Sequence, residues 1–505
     1  MASAVFFTPA AALATQVLER AESDVELSTG TRRAVDMHRL LTDRAYAQET
    51  LDYFSRTVTE VPENAELRVA VDSIRLAALG TLGRNAEIHQ IIDRTLAARP
   101  RTAVEYLAVL AAAGRFNNHP LLAEIMDHAS RNVRASEWST LRELMPRDGW
   151  RSLLQDMWER GDMRSRARLA EALFRIGWPG NSDTRMADSL RSILVEDRLN
   201  RADHASATEF AAGLSTPSSV LSMILLKRYD DILSPGEDRL ALLRRAIGHR
   251  EDETAEAVAA APQNHRVVLD RVQHLRDLDR DAEALALLQP YLSDVAETIA
   301  ASEDGMWLVT EAARALIDLG RSDVAFGLMA QLAALPVAER IQLVGPNVSL
   351  AEMLWEADRV EEALAQAQRI DGEMLQFVNN YGKMRVWSHV VCALTGLDRA
   401  ADARPWIERM RDIATANEGA MMLAHLCLGD MAAAEAVLLR RLRSSDPSQA
   451  VRVLQDWLPG SGPPKEAWLL AQLRVLRSRP AVAIELERVG RILQLPLART
   501  SWSTF

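Results

Sequence analysis

The 505-residue sequence has few cysteines and lacks the motifs on which common catalytic and metal sites are built. Its two cysteines, Cys392 and Cys427, form no Cys-x-x-Cys pair, and the sequence has no Cys/His spacing typical of zinc sites. Glycine-rich phosphate loops and the HExxH and GxSxG motifs do not occur in it either. We therefore predict no metal, no other cofactor and no catalytic residues, and we expect a protein that is not an enzyme.

The sequence also lacks an excess of basic residues and a long apolar run. With 70 acidic against 59 basic residues, its net charge of −11 argues against a nucleic-acid partner, because phosphate binding requires concentrated positive charge. An uncharged apolar stretch of about eighteen residues, which a membrane-spanning helix requires, does not occur. Residues 1–14 leave two alternatives open: a truncated signal peptide cleaved before Thr15, which favours export slightly, or a frayed helix start in a cytoplasmic protein.

Aromatic residues make up 5% of the chain, and abundant alanine and leucine favour helices over strands. One sequence pattern repeats along these helical stretches. An apolar run ends in glycine or aspartate, a charged residue follows, and an alanine stands five residues after the turn residue. Repetition at this scale predicts stacked helical hairpins. The clearest pairs of turn residue and alanine are Gly320 with Ala325, Asp358 with Ala363, Asp398 with Ala403, and Gly429 with Ala434.

Each unit is predicted to contain two antiparallel helices. Glycine and aspartate accept the left-handed backbone that ends a helix, and alanine lets the paired helices approach to about 8–10 Å. The longest interval without a turn residue follows Gly161, and Gly248 is a candidate for one of the turns missing there. The predicted turn residues are Asp43, Gly83, Gly114, Gly161, Asp279, Gly320, Asp358, Asp398 and Gly429.

These units resemble tetratricopeptide repeats. In the stretch 309–336, Ala313 and Leu316 precede Gly320 at that family's intervals, and Ala325 and Pro336 follow it at the family's intervals. The resemblance is good over 265–445, weak over 30–175, and fails between 180 and 235. For that middle segment, a looser solenoid of helical hairpins is the alternative. It implies an all-α fold, a right-handed α-solenoid of stacked antiparallel hairpins, whose concave face binds a protein or peptide.

Turn clusters near residues 177–183, 213–219 and 459–464 suggest the domain boundaries. We expect cysteines 392 and 427 to be buried free thiols, with a disulfide between neighbouring helices as the alternative. The predicted segments are the possible leader 1–14, an N-terminal TPR-like block 15–178, an irregular middle segment or hinge 179–235, a C-terminal TPR-like block 236–445, and a linker with capping helices 446–505.

The first helix of each unit is expected to line the concave face, where it exposes every third or fourth residue. Arginine and tryptophan on such a face are suited to anchoring a peptide, through charge-assisted hydrogen bonds and buried area. Alternatively, the tryptophans belong to the core between repeats and the arginines pair with Glu311 and Glu352 along the wall. The candidate binding residues are Arg266, Asp270, Gln273, Arg276, Trp307, Glu311, Arg314, Glu352, Trp355, Arg385 and His389.

The sequence therefore favours a non-enzymatic scaffold that holds a protein or peptide partner on a preformed curved surface. A sensor that binds a small ligand between the two solenoid blocks, with residues 178–219 as its hinge, is the alternative function. An enzyme with a site assembled across distant repeats is a third possibility.

Overall fold

The computed structural model describes residues 37–57, 65–115, 118–143, 147–178, 184–233, 238–458 and 462–498. Nearly all the regular structure of these residues is helical, which confirms the predicted all-α class. The chain divides into two compact units, Met1–Leu214 and Ser215–Phe505, so the boundary falls inside the predicted middle segment 179–235. The possible leader, residues 1–14, lies outside the described residues.

The first unit is built around one continuous cluster of buried apolar side chains, in which Trp150 and Tyr106 are the largest fully buried residues. A short 3-10 turn, Ala135–Glu137, precedes its seventh helix. The helices of this unit are α1 (Met37–Thr42), α2 (Arg44–Thr57), α3 (Ala65–Leu82), α4 (Asn85–Ala98), α5 (Val104–Arg115), α6 (His119–Asn132), α7 (Trp138–Glu143), α8 (Arg147–Glu159), α9 (Met163–Arg175), α10 (Thr184–Asn200) and α11 (His204–Ala212).

The second unit contains longer runs of paired helices and one pair of short strands. Its helices are α12 (Pro217–Leu225), α13 (Arg239–Ala260), α14 (His265–Asp277), α15 (Asp281–Leu292), α16 (Val295–Ala301), α17 (Glu303–Asp318), α18 (Ser322–Ala333), α19 (Val344–Glu356), α20 (Val360–Arg369), α21 (Asn380–Gly396), α22 (Ala400–Asp412), α23 (Glu418–Cys427), α24 (Met431–Leu442), α25 (Ser448–Val453), α26 (Pro464–Ser478) and α27 (Pro480–Val489).

Five hairpins of the second unit follow one another: α14–α15, α17–α18, α19–α20, α21–α22 and α23–α24. The first helix of each hairpin packs against the first helix of the next one. The two strands, β1 (Asp456–Leu458) and β2 (Gln494–Ala498), pair in parallel with Asp456 opposite Gln494. The chain between them forms α26 and α27.

Each of these five hairpins turns through the same pair of backbone hydrogen bonds. At Gly320, whose φ is +74°, the Arg321 N–H donates to Leu316 O at 2.7 Å and the Gly320 N–H donates to Ile317 O at 2.9 Å. This is the Schellman arrangement, which satisfies the last carbonyls of the first helix. The same two bonds, with a positive φ, occur at the predicted turn residues Gly83, Gly161, Asp279, Asp358, Asp398 and Gly429.

Three predicted turn positions differ from this pattern. Gly248 lies within α13, and Gly114 lies in the last turn of α5. Asp43 instead caps α2, where its carboxylate accepts the N–H groups of residues 45 and 46. Conversely, Ala202 has a φ of +57° and makes the same two bonds between α10 and α11, a turn that the sequence did not reveal because alanine rarely adopts this backbone.

At most of these turns, the charged residue after the turn makes one of two side-chain contacts at the start of the second helix. Where it is acidic, as at Asp430, its carboxylate accepts a backbone N–H three residues on, from Ala433 at 3.0 Å. Where it is basic, as at Arg359, the guanidinium makes two 2.6 Å bonds to a carboxylate three residues on, Glu362. Both arrangements place negative charge in the first turn of the helix, which favours its positive end.

The alanine five residues after the turn is fully buried in each of the five hairpins. A buried methyl group at this point leaves room for the backbones of the two helices to pack closely. The alanines concerned have 0% exposure and are Ala284, Ala325, Ala363, Ala403 and Ala434.

Hydrogen bonds connect a segment near the end of the second unit with a segment near its beginning. The Arg491 guanidinium binds both carboxylate oxygens of Asp230 at 2.7 and 2.6 Å and the carbonyl of Ile224 at 2.9 Å. Its backbone N–H donates to Leu225 O at 3.1 Å. These contacts join residues more than 260 positions apart. In the same segment, α27 packs against α24, the second helix of the last of the five hairpins.

The two cysteines form a disulfide, which corrects the expectation of free thiols. Cys392 lies in α21 and Cys427 at the end of α23, the first helices of consecutive hairpins. A separation of 35 residues, about one repeat, therefore places the two side chains on adjacent helices.

Ala202→Gly should raise the free energy of unfolding of the first unit by about 1 kcal/mol, because glycine adopts a positive φ without the strain that alanine carries. Gly161→Ala, at a turn of the same unit where an added Cβ meets nothing within 4 Å, should lower it by about the same amount. Urea denaturation measures both, and equal signs for the two variants would contradict the assignment of Ala202 as a repeat turn.

Removing the disulfide with Cys392→Ala and Cys427→Ala together should destabilise the second unit by roughly 3–4 kcal/mol, since the link closes a loop of this length in the unfolded chain. Urea denaturation of the wild type with and without reductant should show a similar difference. The double variant should be insensitive to reductant. Alkylation of either thiol in the native, unreduced protein would show that the bond is not formed.

Candidate functional site

The eleven predicted binding residues lie on α14, α17, α19 and α21, the first helices of four consecutive hairpins. The structure brings them together, but mainly against one another. The half-buried members are Arg266, Asp270, Gln273, Trp307 and Arg385, and the buried members are Arg276, Glu311, Arg314, Glu352, Trp355 and His389. We call the side of α17 and α19 that carries Arg314, Asp318, Trp355 and Glu356 the first-helix face.

Arg276 is the centre of the first charge cluster. Only 6% of this residue is exposed, and its guanidinium binds Asp281 at 2.9 Å, Asp318 at 2.8 Å and Glu311. Burial raises the pKa of Asp281 to about 6 and also raises that of Asp318, although Arg276 acts in the opposite direction in both cases. One guanidinium therefore joins two hairpins and compensates part of the negative charge of three carboxyl groups.

Glu352 is the centre of the second cluster. It accepts hydrogen bonds from Arg314 of the preceding hairpin at 3.0 Å and from Arg385 of the following hairpin at 2.6 Å. Burial opposes ionisation of Glu352, but the two guanidinium groups outweigh it and lower the pKa of this carboxyl group. His389 lies beside the cluster, and burial lowers its pKa to about 4, so it is neutral at pH 7. The alternative of arginines paired along the wall is thus the arrangement observed.

The half-buried residues continue the same chain of contacts. Arg266 lies within 3.6 Å of both Asp270 and Asp304, and Gln273 donates to Glu311 at 3.5 Å. Trp307 packs over Gly345 of the next hairpin, since a Cβ built on that glycine would come within 3.0 Å of the indole ring. Trp307 therefore contributes to packing between hairpins.

Trp355 makes a contact that was not predicted from the sequence. Its ring meets Trp468 of α26 edge to face, with ring centroids 6.1 Å apart. Beside this pair, Lys465 of α26 binds Asp358 at 2.7 Å. The helix α26 thus lies on the first-helix face, where a partner was expected.

Between α26 and the first-helix face lies a cavity of about 40 Å³, which has room for one or two water molecules. Glu356 contributes a carboxyl group to it, and α26 contributes a second one, that of Glu466. The cavity is lined by Arg276, Arg314, Ile317, Asp318, Met353, Trp355, Glu356, Pro463, Lys465, Glu466 and Leu469.

Glu356 differs electrostatically from the neighbouring Glu352. Burial raises the pKa of Glu356 well above its ordinary value of 4.5, and the negative charges of Glu352 and Glu466 add to that effect, while Arg314 opposes it. Glu356 stands four residues after Glu352 and therefore on the same side of α19. This spacing was visible in the sequence, whereas the approach of Glu466 from a distant helix was not.

The first-helix face presents charged and aromatic side chains. Guanidinium groups bind Asp318 and Glu352. Within the described residues, no group of three or more His, Cys, Asp or Glu side chains is placed to hold a metal ion. No described helix combines the length and apolar character needed to cross a lipid bilayer.

No family model matches this chain, and no curated protein sequence shows significant similarity to it.

Glu356→Gln should stabilise the second unit by about 1–2 kcal/mol at pH 7. Because the folded state raises the pKa of Glu356, it binds a proton that the unfolded state has lost at any pH between 4.5 and the raised value, so wild-type stability falls as the pH rises through this interval. The amide removes this contribution, and the advantage of the variant should grow with pH in urea denaturation.

Glu362→Gln is the matched control, since this carboxylate lies on the adjacent α20 and is 57% exposed. Its effect should stay within about 0.5 kcal/mol. A stability difference for Glu356→Gln that does not change between about pH 5 and 8 would contradict the raised pKa.

Proposed function

We propose that this protein is a non-enzymatic scaffold, a TPR-like α-solenoid that binds a protein or peptide partner along the first helices of its second unit. The regular hairpins, each packed on the next through its first helix, support the solenoid arrangement. In this proposal, the repeated turns and buried alanines hold the binding surface in shape before a partner arrives, which keeps the entropic cost of binding low.

The observation that carries the proposal is the position of α26. A helix of the chain itself is seated on the first-helix face, with an aromatic pair and an ion pair at its N-terminal end. Docking of an amphipathic helix into a groove is a common mode of peptide recognition. The surface therefore has the shape and chemistry to hold a helix.

The buried charge clusters have a supporting role in this proposal. Because Arg276, Arg314 and Glu352 already have buried partners, they fix the spacing of consecutive first helices. The half-buried Arg266 and Arg385 remain as further polar contact points for a partner. Binding energy would come mainly from the area around Trp355, since buried aromatic anchors dominate such interfaces.

The disulfide bears on the compartment. Disulfides persist in oxidising surroundings and are rare in reducing ones. The link between Cys392 and Cys427 therefore supports the exported alternative for this protein.

The binding proposal is tested by capture on the immobilised full-length protein from an extract of its source cells, with wild type and Trp468→Ala side by side. Loss of the Trp468 ring should loosen α26 and increase the amount of retained partner at least several-fold. An excess of free peptide with the sequence of residues 464–478 should elute the same protein.

Trp158→Ala serves as the control, because this tryptophan is also partly exposed but lies in α8 of the first unit. It should behave as wild type. Failure of wild type and Trp468→Ala alike to retain any protein above the level of bare resin would count against the scaffold function.

A further inference from the structure

An open groove of about 620 Å³ lies beside α24, the second helix of the last of the five hairpins. Ala436, Leu439 and Arg443 lie three and four residues apart and Arg440 adjoins Leu439, so the four side chains share one side of the helix. A groove of this size has room for several side chains of a bound peptide. We call it the α24 groove, and it is lined by Glu418, Ala436, Leu439, Arg440, Arg443 and Ser444.

Carboxylates hold the two arginines of this groove in place. Arg440 donates from Nε to Glu418, and Arg443 donates from Nε to Glu485 of α27 at 3.4 Å. No described residue accepts a hydrogen bond from the terminal Nη groups of either guanidinium. The two side chains are 54% and 59% exposed, so these N–H groups are accessible from solvent. Each arginine therefore offers a partly fixed set of donors, which suits a carboxylate that accepts two hydrogen bonds.

The ion pairs around α24 leave an excess of positive charge. Glu485 binds two arginines, and Arg441 forms no ion pair with a described residue, since its buried Nη1 atom has no acceptor. The local excess is opposite in sign to the net charge of the chain, −11, and favours an acidic partner at this surface. The groups concerned are Arg440, Arg441, Arg443, Arg479 and Arg488 against Glu418, Glu435 and Glu485.

The spacing of the two arginines indicates the shape of an acidic ligand. Side chains three residues apart on a helix stand about 5–6 Å apart. Alternate residues of an extended peptide point to the same side and lie about 6.6 Å apart, so two acidic residues at this spacing can each face one arginine. The next alternate residue then lies at the end of the groove formed by Ala436 and Leu439, where an apolar side chain is favoured.

We propose that the α24 groove binds an acidic peptide in extended conformation, in which one apolar and two acidic residues occupy alternate positions. The acidic side chains bind Arg440 and Arg443, and the apolar side chain packs on Ala436 and Leu439. This site includes no residue of the first-helix face, so it goes beyond the scaffold function proposed for that face and does not depend on it. Two exposed charge pairs and one apolar contact give weak binding, with a dissociation constant of roughly 0.1–1 mM.

Saturation-transfer difference NMR measures this binding on the full-length protein. The probe is the acetylated and amidated peptide Gly-Leu-Ser-Glu-Ser-Glu-Gly, at concentrations up to about 5 mM. The leucine methyl groups should receive the strongest saturation, because they contact the apolar end of the groove. Replacing both glutamates of the peptide by glutamine should weaken binding at least about tenfold. A peptide of equal charge with adjacent glutamates, Gly-Leu-Ser-Ser-Glu-Glu-Gly, should bind about threefold more weakly or worse, because adjacent side chains point to opposite sides.

Protein variants test the assigned groups. Arg440→Gln with Arg443→Gln should weaken binding at least about tenfold, and lysine at both positions should weaken it about threefold, because lysine keeps the charge but loses the paired donors. Ala436→Glu places a negative charge in the groove and should weaken binding at least about fivefold. Arg399→Gln is the matched control, since this arginine is 53% exposed and binds Asp402 of α22. It should bind the peptide as wild type does.

Circular dichroism verifies that the variants are folded. If the double arginine variant is unstable, Ala436→Glu still tests the groove, because Ala436 is exposed on α24. Absence of saturation transfer with the wild type, or equal binding by wild type, Ala436→Glu and the arginine variants, would overturn the inference. Equal binding of the glutamine peptide would overturn carboxylate recognition, and equal binding of the peptide with adjacent glutamates would overturn the extended register.

A nucleic acid is the other polyanion that the arginines could attract, and the same measurement decides against or for it. An oligothymidylate of equal charge should bind more weakly than the acidic peptide, since it carries no apolar side chain for the Leu439 end of the groove. Tighter binding of the oligothymidylate, lost in the Arg440→Gln and Arg443→Gln protein, would overturn the assignment of an acidic peptide as the occupant.

Discussion

A buried alanine after each turn is the constraint on which the second unit depends. Because this side chain is a single methyl group, the two helices of a hairpin can pack closely. The turn residue five positions earlier adopts a left-handed backbone, which makes the connection between the two helices short. Each hairpin then offers its first helix to the next hairpin at a similar position. The charge clusters and the first-helix face follow from that repetition, since residues separated by one repeat become neighbours in space.

As a consequence, side chains of opposite charge on consecutive first helices meet one another. Arg276 meets Glu311, Arg314 meets Glu352, and Glu352 meets Arg385, with each step crossing from one hairpin to the next. Buried ion pairs of this kind contribute little net stability, because desolvation offsets much of the attraction. Mismatched pairing, however, is costly, since it leaves a buried charge uncompensated. The clusters therefore mainly fix how consecutive first helices are aligned and spaced against one another.

Local signals in the sequence predicted most of the hairpins and little of the site. Glycine or aspartate followed by a charged residue marked seven of the turns, whereas Ala202 carried no such signal and Gly248 lay in a continuous helix. The residues predicted to line the concave face do lie on the first helices of the hairpins. The sequence could not show that the chain itself covers them, because Trp355 and Trp468 lie 113 positions apart and no repeat relates them. The spacing of one repeat between Cys392 and Cys427 is compatible with a disulfide between neighbouring helices, but spacing alone does not distinguish a disulfide from two buried thiols.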